Sequence, residues 1–184
     1  METLDDFIDI EVDILSIGLN PSPNSVLHRF PFATPQNRFW RALNQSELVD
    51  RCYPPSVESI QALLLEEHIG FTDVVKRTTR GGSELCVEDY RRWAPVLRRT
   101  IESVCPRIVW FHGKVAYRKF ARFGLGQMVG SIDWGEQKSS CVGAVTFISP
   151  NPSPANAAYS LTEITQWYDR LAIVRRRPAN RRAL

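Results

Sequence analysis

The sequence is poor in several features, and each shortage removes a class of protein. No apolar run approaches the roughly 18 residues that cross a bilayer, so no membrane partner is expected. Neither GxGxxG nor GxxxxGK occurs, which argues against the common dinucleotide and P-loop nucleotide sites. The cysteines Cys52, Cys86, Cys105 and Cys141 are scattered without a CxxC pair. That spacing gives no support to a zinc site or an iron–sulfur cluster, and buried free thiols are the better expectation. Lysine is scarce too, with Lys76, Lys114, Lys119 and Lys138 against a large excess of arginine. The opening METLDDFIDI is acidic, unlike a signal or transit peptide, so a cytoplasmic location is expected, at the nucleoid if the source is bacterial.

What remains is ordinary for a globular chain of 184 residues: 43% apolar, 23% charged and a net charge of +3. A sequence pI near 8.8 is weak evidence for a nucleic-acid partner. Arg175, Arg176, Arg177, Arg181 and Arg182 make the end basic. Such an end can seek phosphate or simply be solvated. The expected division is a loosely held lead-in at 1–9, one domain at 10–175 and a basic tail at 176–184.

Along the chain, short apolar runs alternate with helical periodicity. Strands are expected at 10–17, 71–75, 107–111 and 144–148. Helices are expected at 37–48, from Ser56 to a stop at Gly70, at 87–104, after Gly113-Lys114, and at 161–174. Arg91, Arg92, Arg98 and Arg99 read as a solvated helix face. Repeated strand–helix units predict a single-domain three-layer α/β sandwich, its central sheet mostly parallel with four to five strands and flanked by helices.

Ligands of such sheets bind in the loops leaving the carboxyl ends of the strands. The loop after the first strand holds Asn20 between Leu19 and Pro21, then Phe30 and Phe32 among prolines. A polar amide beside presented aromatic rings suits a flat, hydrogen-bonding heterocycle. Singly, Asn-Pro is a turn and a loop Phe fills a gap; jointly they are more specific.

The segments GLNPSPNS (18–25) and FPFATPQNRFW (30–40) resemble motifs of the mismatch-specific uracil-DNA glycosylase and thymine-DNA glycosylase family. GFTDVVKRTTRGGSEL (70–85), RIVWFHGKVAYRKF (107–120) and ISPNPSPANAAYSL (148–161) follow in that family's order. The resemblance implies a monofunctional DNA glycosylase that hydrolyses the N-glycosidic bond of uracil, or of other deaminated or mismatched bases, after extruding the base. It implies duplex DNA as partner, a monomer, and neither cofactor nor metal. Asn20 would orient the attacking water. Gly18, Leu19, Phe32 and Asn151 would contact the base, with Phe32 stacking on it. Ser22, Ser25, Lys114, Ser153, Pro154, Ala155 and Asn156 would meet the DNA, though Lys114 reads equally as a plain surface lysine. No lysine falls in either active-site loop, so a Schiff base is not indicated. The alternatives are a non-catalytic nucleic-acid-binding module on the same fold and a glycosylase acting mainly on hypoxanthine or xanthine.

The chain departs from the family pattern in three places. Pro154-Ala155-Asn156-Ala157 stands where a larger apolar residue and an arginine are usual, and an alanine cannot fill the space a base vacates. Arg29 replaces a glycine. Asp73 replaces an asparagine or lysine, and reads as a second catalytic group that takes the water's proton, as a loop cap, or as an ion-pair partner of Arg77.

Overall fold

The computed structural model describes residues 3–139 and 141–178. Four five-residue strands form its centre: β1 (Ile14–Gly18), β2 (Ile69–Asp73), β3 (Ile108–His112) and β5 (Val145–Ser149). They are parallel, in the order β2-β1-β3-β5, and the two-residue β4 (Gly135–Glu136) closes the β5 edge antiparallel. Strands buried on both faces read as nearly continuous apolar runs, and β1 and β3 do, apart from the buried Ser16 and the terminal His112. Ile14, Ile108 and Trp110 face one core layer, while Leu15, Ile17, Val109 and Phe111 face the other.

The first layer is built from α2 (Phe39–Gln45), α3 (Val57–Leu65) and α6 (Leu161–Arg176), which contribute Phe39, Leu63 and Tyr168. The second comes from α4 (Val87–Val104) and α5 (Lys114–Gly124), with Leu97 and Phe120. The expected three-layer α/β sandwich with its mostly parallel sheet is the observed fold.

Local differences have physical causes. A short helix α1 (Pro23–His28) interrupts the first loop, capped by Ser22, with Pro23 in the first turn. Gly70 does not stop α3; it lies inside β2, where a Cβ would meet Val12 at 2.9 Å. The described part of the lead-in, residues 3–9, is tied down rather than loose. Phe7 exchanges backbone hydrogen bonds with Phe71 (3.0 and 2.8 Å), and Asp6 pairs with Lys76.

Of the four thiols expected to be buried, only Cys141 is; Cys52, Cys86 and Cys105 are exposed. Arg175 and Arg176 belong to α6 and pair with Asp13 and Glu47, while Arg177 pairs with Glu136. Arg181 and Arg182 lie outside the described residues. The α4 arginines are solvated, Arg91 and Arg98 pairing within their own helix. Among the described residues no helix is long and apolar enough to cross a membrane, and no acidic, histidine or cysteine cluster could hold a metal.

Candidate active site

The chain passes from β1 outward to β2 on one side, then returns to β3 on the other, which opens a crevice at the strands' carboxyl ends. A cavity of about 270 Å³ lies there. It is lined by Gly18, Leu19, Asn20, Ser22, Ser25, Phe32, Asp73, Thr79, His112, Asn151, Ser153, Pro154 and Ala155, among others. Eleven of the thirteen candidate residues read from the sequence therefore meet at one cavity. Lys114 and Asn156 are absent from its walls. Lys114 opens α5 and sets its ammonium 4.5 Å from the Trp134 ring centroid.

Beyond the ends of β1 and β2 the two loops stay zipped together. Val74 and Val75 donate to the Gly18 and Leu19 carbonyls (3.0 Å each), and Thr79 N donates to Pro21 O (3.3 Å). That zipper sets the Asn20 amide. Its Nδ2 donates to Thr79 Oγ1 (2.7 Å), Arg77 O (3.1 Å) and Pro21 O (3.2 Å). Two of those acceptors are carbonyls, which can only accept. The third has already given its one proton to Gly81 O at 2.9 Å. The amide thus has one consistent orientation, and Oδ1, the atom able to accept from a water, is left for the cavity.

Asp73 ends β2 in register with Gly18. Its Oδ1 lies so close that a Cβ on residue 18 would be 2.2 Å away, so only glycine admits this carboxylate. Burial raises the Asp73 pKa to about 7, opposed in part by Lys76. The ion pair considered from sequence does not form: Arg77 instead holds Asp89 through two 2.8 Å bonds and keeps its carboxyl down at about 2.

Phe32 has a left-handed backbone (φ 59°), uncommon for a large side chain and costly by about 1–3 kcal/mol. Its ring stacks on Phe39 at 4.1 Å and 16°. Phe39 is fully buried, so it is a fixed support. Phe32 also lines the cavity.

Sequence reasoning missed His112. It ends β3 at the cavity, 2% exposed, with Nε2 2.8 Å from Ser16 Oγ and no partner for Nδ1. Phe32, Phe39, Trp110 and Tyr168 surround its ring. Burial lowers its pKa to about 3, so it is neutral at ordinary pH. Its only local signal was a histidine closing an apolar strand. Thr79 was quoted within a motif, but its hold on Asn20 spans 59 residues and no local pattern shows it.

The second loop folds on itself. Asn151 Oδ1 accepts from Ser153 N (2.9 Å), Asn156 Nδ2 donates to Asn151 O (2.9 Å), and Ala155 N donates to Ser153 Oγ (3.3 Å). Ser153 thereby keeps its hydroxyl proton for an outside acceptor. Ser25 is 3% exposed and shares its hydroxyl with Ser22, so it is poorly placed for a phosphate unless α1 moves.

The cavity at this switch point brings together the Phe32 ring, the singly oriented Asn20 amide and the half-buried Asp73 carboxylate. Residues 6–173 match the family model described as the uracil DNA glycosylase superfamily, and the chain belongs to that superfamily. Membership indicates DNA glycosylase chemistry, with DNA as the substrate class. The fold is similar to a solution NMR structure of a proposed uracil DNA glycosylase from Methanosarcina acetivorans, at a TM-score of 0.62 and 23% identity. That alignment covers 94% of this chain and 98% of the other; at such identity it speaks to the fold alone.

Proposed function

We propose that this chain is a monofunctional DNA glycosylase of the mismatch-specific uracil and thymine branch, which removes uracil from DNA by base flipping and water attack. The observation that carries this reading is the single orientation of the Asn20 amide at a cavity shared with Asp73 and Phe32. The extruded base stacks on Phe32, and Asn20 Oδ1 accepts one proton of a water to aim it at the sugar carbon. Ionised Asp73 takes the water's other proton as the oxygen attacks. The electrons of the N-glycosidic bond leave with the base, through an oxocarbenium-like state.

A carboxylate with a pKa of about 7 suits this role, because a general base works best when its pKa lies near the working pH. None of the chain's four lysines lines the cavity, which supports hydrolysis without strand cleavage. No metal or cofactor is needed by this scheme, and one chain supplies every group in it.

The test is incubation with labelled oligonucleotides bearing uracil, thymine, hypoxanthine or xanthine in each pairing, followed by alkali. Alkali-labile sites at uracil opposite guanine, with uncut strands before alkali, are the expected result. Borohydride trapping of a protein–DNA adduct would overturn the monofunctional mechanism. Release from no base at all would favour a binding module.

A further inference from the structure

The second loop presents a problem that its side chains do not solve. An extruded base leaves a gap in the stack, and the exposed residues of this loop from 151 to 159 are only Pro154, Ala155, Ala157 and Ala158. It also holds Pro150, Pro152 and Pro154, which have no N–H, so it is rich in carbonyl acceptors and poor in donors. The missing donors come from 114–121 residues away. Arg38 Nε donates to Pro152 O (3.3 Å), Nη2 to Ser153 O (2.6 Å) and Asn156 O (2.7 Å), and Nη1 to Tyr159 O. Its backbone N–H adds a bond to Pro152 O at 3.1 Å.

Four carbonyls on one guanidinium account for most of its five donors, in a planar fork that lysine cannot reproduce. The charge is spent on the loop's inner side and is not a free phosphate ligand. Arg38 in turn is anchored, since it precedes Phe39 and Trp40, both buried in the core at the start of α2.

We propose that Arg38 is a positioning residue for base extrusion: it holds residues 152–159 as a rigid backbone wedge that serves in place of a bulky plugging side chain. The proposal rests on the glycosylase reading above. It assigns Arg38 no part in bond cleavage, so its effect belongs to duplex substrates, where a base must be pushed out. A single strand offers no stack to open and bypasses the wedge.

The experiment compares full-length wild type, Arg38→Ala and Arg38→Lys. Single-turnover release of uracil is measured from a duplex and from the same strand alone. Binding to a duplex with a tetrahydrofuran abasic site is measured against the intact duplex. The expected result is a loss on duplex at least about tenfold greater than on single strand for Arg38→Ala, in line with what small misplacements cost. The pH profile should be unchanged, preference for the abasic duplex reduced, and Arg38→Lys intermediate. Equal losses on both substrates, or no loss on either, would overturn the proposal. If Arg38→Ala does not fold, Arg38→Lys must show the same duplex-to-single-strand bias or the proposal fails. Should wild type release no base, the glycosylase reading falls first. The abasic-duplex preference then decides separately, and a preference that is absent in wild type or unchanged in both variants sinks the wedge.

Discussion

In the proposed mechanism Asn20 and Asp73 divide the chemistry as an amide and a carboxylate must. An amide can orient a water but cannot take its proton; a carboxylate can do so only when ionised. Asn20→Ala should therefore cost at least about a hundredfold in single-turnover rate, the range for a positioned catalytic group. Binding to an abasic duplex should change far less. A near-wild-type rate in that variant would reduce Asn20 to a turn residue. For Asp73 the rate should climb with pH toward a plateau above about 7, and Asp73→Asn should lower the rate and abolish that climb. Identical pH profiles in the two proteins would remove Asp73 from the mechanism. Phe32→Ala should weaken recognition by about 1–3 kcal/mol, as loss of a base-stacking ring does. Some stability should go with the ring's stacking on Phe39, but activity per folded molecule should fall as well. A lower melting temperature with unchanged activity per folded molecule would mark Phe32 as core instead.

The site holds together through elements rather than single contacts, and Gly18 is where two of them touch. With Asp73 Oδ1 2.2 Å from any Cβ placed there, Gly18→Ala must displace the carboxylate. Its expected phenotype is that of Asp73→Asn: slow release, a flattened pH profile, and a sheet still folded by circular dichroism. Gly18→Ala with a normal pH profile would show that the carboxylate's place is immaterial. The sequence exposed this juxtaposition only partly. Apolar runs such as Ile14–Ile17 announce buried strands, and parallel order follows from strand–helix alternation, which brings the ends of β1 and β2 to one edge. The loop motifs named most cavity residues because their resemblance to a family carries that information. What stayed hidden depends on contacts far apart in sequence: Arg38 to the second loop, Thr79 to Asn20, His112 to Ser16. The α1 helix was hidden for another reason. Six residues are too few for helical periodicity to emerge, and the flanking prolines read as loop.

Across the whole molecule, two groups at the cavity, half-buried Asp73 and buried His112, pull the stability–pH curve in opposite directions. Asp73 titrates near 7 in the folded chain and near 3.8 when unfolded, so between those values only the folded state holds the proton. Its contribution is fully present below about pH 4 and is lost as pH rises through about 7. His112 behaves oppositely. It titrates near 3 when folded and near 6.5 when unfolded, so in that window only the unfolded state is protonated, and stability rises with pH. Each slope has a ceiling of about 1.4 kcal/mol per pH unit, one proton's worth. From about pH 4 to 6.5 the two cancel, and wild type should show a nearly flat contribution from this pair. Replacing either partner uncovers the other. Asp73→Asn should gain stability from pH 4 to 6.5 relative to wild type, and at pH 8 it should unfold at higher denaturant, being relieved of a buried charge while losing catalytic rate. His112→Asn should lose stability over the same interval. Urea midpoints at half-unit pH steps would read all three curves. Parallel curves for wild type and both variants would mean that neither group is held away from its ordinary titration, and would remove the basis for Asp73 as a base poised near neutrality.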